Sequence, residues 1–198
     1  MRNPRCDICG EKAQYRCRRS GTLLCLKHAF LDVTASRRHG EVKVRIEPAG
    51  PQDLGSVVAL ACHFWDETEV YCFGKMYDVA RLPAYVARVD AEMVGAISYA
   101  VEPTRIVIVL LNVLPNYQGA GLGRRLIDAV AAVAARQGLT RLVVATSNDD
   151  LLALYLYQRN GFVITDVRAG EILRHHGQEE TGFAGMPVRD EIRLERHL

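Results

Sequence analysis

The chain has 198 residues, of which 49% are hydrophobic and 24% charged, and its formal net charge is +2. That is enough apolar material for one ordinary domain with a small appendage, and it excludes wholesale disorder. So small a net charge argues neither for nor against a polyanionic partner, and no apolar run approaches the roughly 20 residues needed to span a bilayer.

Charge is unevenly placed. Residues 1–40 hold nine Lys/Arg against three Asp/Glu, a basic island ahead of a mildly acidic remainder. The basic side chains Arg16, Arg18, Arg19, Arg37 and Arg38 read as a solvated face, the alternative being a contact with nucleic acid or an acidic partner. Met1 to Lys12 contains no signal-peptide core, so the chain reads as cytoplasmic. In that compartment six cysteines point to metal binding and buried thiols rather than to a disulfide framework.

The first element in chain order is a metal pattern. Cys6-x2-Cys9 is followed after fifteen residues by Cys25-x2-His28. Each pair forms a knuckle that aims two side chains at one point, and two knuckles complete the tetrahedron that zinc prefers. A segment of some 40 residues cannot bury a sufficient core unaided, so the metal would supply folding energy. The order Cys6, Cys9, Cys17, Ser20, Cys25, His28, Ser36, His39 resembles the cross-braced zinc fingers of the B-box type. The resemblance implies a first zinc on Cys6, Cys9, Cys25 and His28. It also implies a degenerate second site at Cys17 and His39, with serines at its other two positions. A saturated structural site leaves no position for substrate, so this zinc module (residues 1–41) is expected to recruit a protein partner or the substrate.

From residue 42 the pattern changes. Val42, Val44 and Ile46 alternate with charged residues as a strand, Pro48 and Pro51 end it, and Asp53 is placed to cap a helix through Val57, Val58 and Leu60. Residues 84–90 and 93–99 read as two strands joined by a turn, and 106–113 as a strand buried on both faces. Leu122, Leu126, Ile127, Val130 and Val133 form the stripe of a helix that ends at Gly138. Residues 142–145 make another buried strand, and Asn148 or Asp149 caps a helix that runs to Asn160. Phe162 to Thr165 is a further strand, 169–187 an irregular excursion, and 191–198 a closing strand. Strands and helices interleave around a mixed sheet, an α/β architecture.

The informative junction is the strand ending at Val113 and the glycine-rich turn Gln118-Gly-Ala-Gly121-Leu-Gly123-Arg124 that opens the long helix. Small residues let a phosphate approach the backbone, where free N–H groups and the helix dipole favour negative charge. Neither a dinucleotide fingerprint nor a Walker motif fits, so a pyrophosphate cofactor of another type is expected.

Gln118-x2-Gly121-x-Gly123, followed thirty-five residues on by Ala153-x3-Tyr157-x3-Gly161-Phe162, resembles the GNAT superfamily of acyltransferases over residues 42–198. The resemblance implies a three-layer α-β-α fold around a mixed sheet and transfer of an acetyl group from acetyl-CoA to a primary amine. It also implies roles. The backbone near Val113 would hold the pantetheine arm and acetyl carbonyl, and the N–H groups of Gln118, Gly119, Ala120, Gly121, Leu122, Gly123 and Arg124 would cradle the pyrophosphate. Asp150 stands where the family commonly has an Asn that touches CoA, with Asn148 nearby. Tyr157 would protonate the departing thiolate, a feasible transfer between a phenol and a thiol of similar pKa.

Many members carry a glutamate base on the strand before the loop, and Val109 stands there instead. An acid from the segment that would form the acceptor groove, among Glu67, Glu69 and Asp78 with Trp65 beside them, is the substitute, and acids there would favour a cationic amine. Alternatives remain at each position. Tyr157 could be a core tyrosine, the glycine turn a tight connection without ligand, and the three acids solvated charges. A different class of function is also open: a non-catalytic adaptor that senses acyl-CoA and binds its partner through the zinc finger.

Overall fold

The computed structural model describes residues 15–16, 23–24, 44–65 and 68–198. Strand β1 (Tyr15–Arg16) pairs antiparallel with β2 (Leu23–Leu24). Cys6, Cys9, Cys17, Cys25, His28 and His39, and with them the expected zinc module, lie outside the described residues.

β3 (Val44–Pro48) forms where the alternation places it. A 3-10 turn over Pro51–Asp53 leads into helix α1 (Leu54–Trp65), whose Val57, Leu60 and Ala61 are buried at helical spacing. Asp53 is not the N-cap of that helix. As the last residue of the 3-10 turn it accepts the Gly50 N–H at 2.9 Å and pairs with Arg88, which also bonds Glu47 at 2.7 Å. This ion-paired group ties both ends of the β3–α1 connection to the neighbouring strand.

β4 (Glu69–Cys72) and β5 (Lys75–Asp78) form a hairpin. Its two-residue turn puts Phe73 at φ 53° and Gly74 at φ 75°, the paired positive values of a type I′ turn. β6 (Ala84–Val89), β7 (Glu92–Glu102) and β8 (Arg105–Val113) follow as antiparallel neighbours. Helix α2 (Leu122–Arg136) crosses to β9 (Arg141–Ser147), helix α3 (Leu151–Arg159) to β10 (Val163–Arg168), and β13 (Glu191–His197) closes the sheet. The excursion expected at 169–187 holds a one-and-a-half-turn helix α4 (Glu171–His176) and two paired strand fragments, β11 (Glu180–Thr181) and β12 (Pro187–Val188).

The main sheet has seven strands in the order β10-β13-β9-β8-β7-β6-β3, and only β8 and β9 run parallel. Its two faces carry separate cores. Val57, Leu60 and Ala61 of α1 with Val70 and Cys72 of the hairpin cover one face. Leu126, Ile127 and Val130 of α2 with Tyr157 of α3 cover the other. The result is the mixed α/β sheet between helical layers that the sequence implied. No described helix is long and apolar enough to cross a membrane.

Candidate active site

The site begins as a defect in the sheet. β7 and β8 keep register from Gly95↔Val113 to Ser98↔Leu110, then resume at Tyr99↔Ile108, so Val109 is an extra residue on β8. A bulge of this kind bends its strand and re-aims it. On its other side β8 pairs with β9 only over Ile106–Ile108 against Leu142–Val144. Beyond that point β7 carries β8 one way and β13 carries β9 the other. The facing edges of 109–113 and 145–147 therefore diverge into a V, with backbone groups available to an extended ligand.

The glycine turn sits at the mouth of this V. Gln118 donates from Nε2 to the Val113 carbonyl at 2.9 Å and from its own N–H to the Pro115 carbonyl at 3.3 Å, fixing the exit of β8. Gly121, the N-cap of α2, has φ 77°, and a Cβ built on it would meet nothing within 4 Å. Glycine is needed there for conformation, and the space before it is open. The first backbone bond into the helix runs from the Arg125 N–H to the Gly121 carbonyl at 3.2 Å. The N–H groups of Leu122, Gly123 and Arg124 therefore have no carbonyl in the helix and point outward with the positive end of its dipole. Gly123 serves packing as well, since a Cβ on it would lie 3.2 Å from Leu156 of α3. The exposed Arg124 side chain pairs with Asp128 at 3.6 Å.

Along the β9 arm of the V, on the α1 side, lies a cavity of about 640 Å³. Its wall comes from α1, β4, the ends of β9 and β13, the first turn of α3, and the 172–188 excursion. Asp150 is the N-cap of α3: Oδ1 accepts the Ala153 N–H at 3.0 Å and Oδ2 lies 3.4 Å from Thr146 Oγ1. Burial raises its pKa; the Ala153 bond opposes that, and the charge of Asp149 adds to it. Asp149 is 9% exposed and accepts from Ser147 Oγ at 2.5 Å and the Phe183 N–H at 3.1 Å. A Cβ on Gly182 would fall 1.8 Å from its Oδ2, so only glycine lets the excursion close on that carboxylate.

Tyr157 is 5% exposed, its ring edge-on to Phe162 at 5.4 Å in the core. Its hydroxyl makes no hydrogen bond among the described residues. Burial pushes its pKa well up, and the nearby Asp150 and Cys72 add to the rise. The Cys72 thiol is itself pushed up to about 12, chiefly by burial.

Other residues singled out in the sequence fall elsewhere. Asn148 donates to the Pro187 carbonyl at 2.9 Å and accepts the N–H groups of Arg189 and Asp190, both at 2.9 Å, so its side chain anchors the approach to β13. Glu69 is exposed at the start of β4, and Asp78 caps the 3-10 turn over Val79–Arg81 by accepting the Ala80 N–H at 2.9 Å. Glu67 and the side chain of Trp65 lie outside the described residues.

The cavity's remaining polar wall was not anticipated. Glu191, 3% exposed, accepts the Phe73 N–H at 2.8 Å and pairs with Arg193 at 2.8 Å. Tyr71 stacks on His175 at 4.1 Å and donates to Glu171 at 2.8 Å, joining the hairpin to α4. A signal for Glu191 existed. Ile192 and Leu194 occupy one parity of the closing strand, so Glu191, Arg193 and Glu195 form a charged row on the opposite face.

Comparison with known proteins agrees with this geometry. The family model described as "Acetyltransferase (GNAT) family" matches residues 56–162. The chain is 29% identical over 111 residues to "Uncharacterized N-acetyltransferase YvbK" of Bacillus subtilis (strain 168), covering 56% of this chain and 71% of that protein. Among solved structures it is similar to "IAA acetyltransferase from Bacillus cereus ATCC 14579", with 26% identity, TM-score 0.61, and coverage of 79% of this chain and 100% of that one. A GNAT family acetyltransferase from Elizabethkingia anophelis, solved with acetyl-CoA bound, shares the fold at 23% identity and TM-score 0.61, covering 80% and 100%. With the bulged β8, the splayed β9 and the glycine-opened α2 all within or beside the matched span, the chain belongs to the GNAT family of acetyltransferases.

Proposed function

We propose that this chain transfers the acetyl group of acetyl-CoA to a primary amine by direct attack, with no covalent enzyme intermediate. The observation that carries the reading is the V between β8 and β9 with the Gly121-capped start of α2 at its mouth. An extended pantetheine arm fits a strand edge that has lost its partner, and a pyrophosphate fits unpaired N–H groups at a helix start. In this reading Val113 and its neighbours hold the arm. The N–H groups of the turn and of Leu122, Gly123 and Arg124 hold the pyrophosphate, with Gly119 and Ala120 leaving room for it. Gln118 contributes by position, since its backbone N–H and one Nε2 hydrogen are engaged.

Tyr157 protonates the departing thiolate. Burial keeps its hydroxyl protonated, so the proton is present when the thiolate departs, although the raised pKa makes it a weaker acid than a free phenol. The buried Cys72 is kept as a thiol, which argues against a covalent route through it. Residues 1–41, with zinc on Cys6, Cys9, Cys25 and His28, would bring a protein partner or the substrate to the catalytic part at 42–198.

Free-thiol release from acetyl-CoA across a panel of primary amines tests this. Amine-dependent release with matching acetylated product is the expected result. Tight acetyl-CoA binding without turnover of any amine would favour the acyl-CoA-sensing adaptor, for which Val109 in place of a glutamate base is the motivating residue.

A further inference from the structure

One polar side chain interrupts the open edge of β8. Residues 106–111 are wholly apolar, and Asn112, of a type depleted in strands, follows them one residue before Val113. Asn112 pairs with Ala96 and Ser98 with Leu110, and directly paired residues share a face of the sheet. Ala96 and Leu110 belong to the core on the α1 side, so the Asn112 and Ser98 side chains stand on that face as well. Asn112 is 7% exposed and Ser98 0%. Neither Asn112 Nδ2 nor Ser98 Oγ has a hydrogen-bond partner among the described residues. A buried amide donor left unpaired destabilises the fold, and an apolar residue of similar size would remove that cost.

The two groups differ in what lies beside them. Ser98 is enclosed between β6 and β8, opposite Ala84 and Leu110. Asn112 has β7 on one side and the V on the other, because β8 and β9 part after Ile108 and Val144. Leu114 donates its N–H to the Val94 carbonyl at 2.8 Å, so strand alternation turns the N–H groups of Leu111 and Val113 into the V, one on each side of Asn112. The start of α2, to which the pyrophosphate is assigned, is on one face of the sheet, and the cavity of about 640 Å³ is on the α1 face. An arm held at Val113 must cross the sheet through the V, and its thioester emerges on the face where Asn112 stands.

Building on the acetyltransferase reading, we propose that Asn112 is a catalytic residue whose Nδ2 donates to the thioester carbonyl oxygen of acetyl-CoA. That hydrogen bond strengthens as the reaction proceeds. When the neutral amine nitrogen adds to the carbonyl carbon, the C=O π pair moves onto the oxygen, and Nδ2 then faces a negative charge. Return of that pair restores C=O and breaks C–S, whose electrons leave on sulfur. The thiolate takes the Tyr157 proton, and the proton that nitrogen loses restores Tyr157. Asn112 keeps both Nδ2 hydrogens throughout. Its unpaired amide destabilises the free protein and is satisfied when the cofactor binds.

The test uses the full chain and three ligands: acetyl-CoA, CoA and S-ethyl-CoA, a thioether that lacks the carbonyl oxygen. Calorimetry on the unaltered protein should show acetyl-CoA binding about tenfold more tightly than S-ethyl-CoA, the size of one buried hydrogen bond. That comparison needs no variant to fold. In Asn112→Leu, and in the smaller Asn112→Ala, the two affinities should come within about threefold of each other while CoA affinity holds. Single-turnover acetyl transfer should fall at least roughly a hundredfold in both variants, the loss typical of one oxyanion donor. Ser98→Ala is the control. It removes the other unpaired group of this face, away from the open edge, and should leave the preference for acetyl-CoA intact. Equal affinity of the unaltered protein for acetyl-CoA and S-ethyl-CoA, or a preference or transfer rate that survives both Asn112 variants, would overturn the proposal. So would an equal loss in Ser98→Ala, which would mark a water shared by the two side chains. Failure of all three ligands to bind would instead overturn the acetyltransferase reading on which the proposal rests.

Discussion

Tyr157 shows how one residue can belong to the core and still be assigned chemistry. Its ring packs edge-on against Phe162 while its hydroxyl, unpartnered among the described residues, contributes little to holding the fold. Tyr157→Phe should therefore leave the thermal midpoint little changed, because the hydroxyl has no hydrogen bond to lose among the described residues. Turnover in single-turnover experiments should fall at least roughly tenfold with acetyl-CoA affinity unmoved, the pattern of an interaction made in the transition state. Normal turnover would return the residue to packing alone. Glu102 offers a separate check on the electrostatics. Lys75 at 2.6 Å holds its pKa down to about 2, with Arg105 at 2.7 Å and the Tyr77 hydroxyl at 3.1 Å assisting. A lowered folded pKa means this stabilisation is complete above the ordinary glutamate range and is lost as pH falls through about 2. Glu102→Gln should melt a few degrees lower at pH 7, since hydrogen bonds to a charged group are worth about 1.5–3 kcal/mol. The gap from wild type should narrow as melts are repeated toward pH 2.5, and a gap that widens there would contradict the assignment.

At the scale of elements, the parts legible in the sequence were those with one strong period and clear punctuation. The apolar run of β8, the stripe of α2 between Gly121 and Gly138, and Gly161 after α3 all stand where the pattern set them. The β4–β5 hairpin was missed because aromatics and carboxylates blurred its alternation and its turn is Phe73-Gly74 rather than Asn-Gly. Glu69 and Asp78 sit at the open end of the hairpin, while the carboxylates that face the cavity come from the start of α3, from β11 and from the start of β13. The sequence put the cap of α3 on Asn148 or Asp149, but Asp150 takes it, accepting the Ala153 N–H, while Asp149 turns back to Ser147 and Phe183. Gly121→Asp probes the start of α2 directly. It places a side chain at φ 77° and a negative charge where the pyrophosphate is assigned. Acetyl-CoA affinity should fall tenfold or more, about 1.4 kcal/mol for each factor of ten, and unchanged affinity in a folded variant would remove the turn from the site.

For the whole molecule, the two proposed parts make independent predictions. Native mass spectrometry should find one zinc per chain, and Cys6→Ser or Cys25→Ser should abolish it while acetyl-CoA binding by residues 42–198 persists. Metal-free native protein would end the zinc proposal without touching the catalytic one. The catalytic part rests on a sheet whose central parallel pair is held together only at Ile106–Ile108 and Leu142–Val144, so ligand binding and sheet architecture are the same feature seen at two scales. Amide hydrogen exchange with and without acetyl-CoA reads that feature most directly. The cofactor should slow exchange at residues 109–113 on the open edge of β8 and at 120–124 at the start of α2, with β6 and β10 unaffected. Protection confined to other segments, or none at saturating acetyl-CoA, would contradict the claim that the V between β8 and β9 is the acetyl-CoA site.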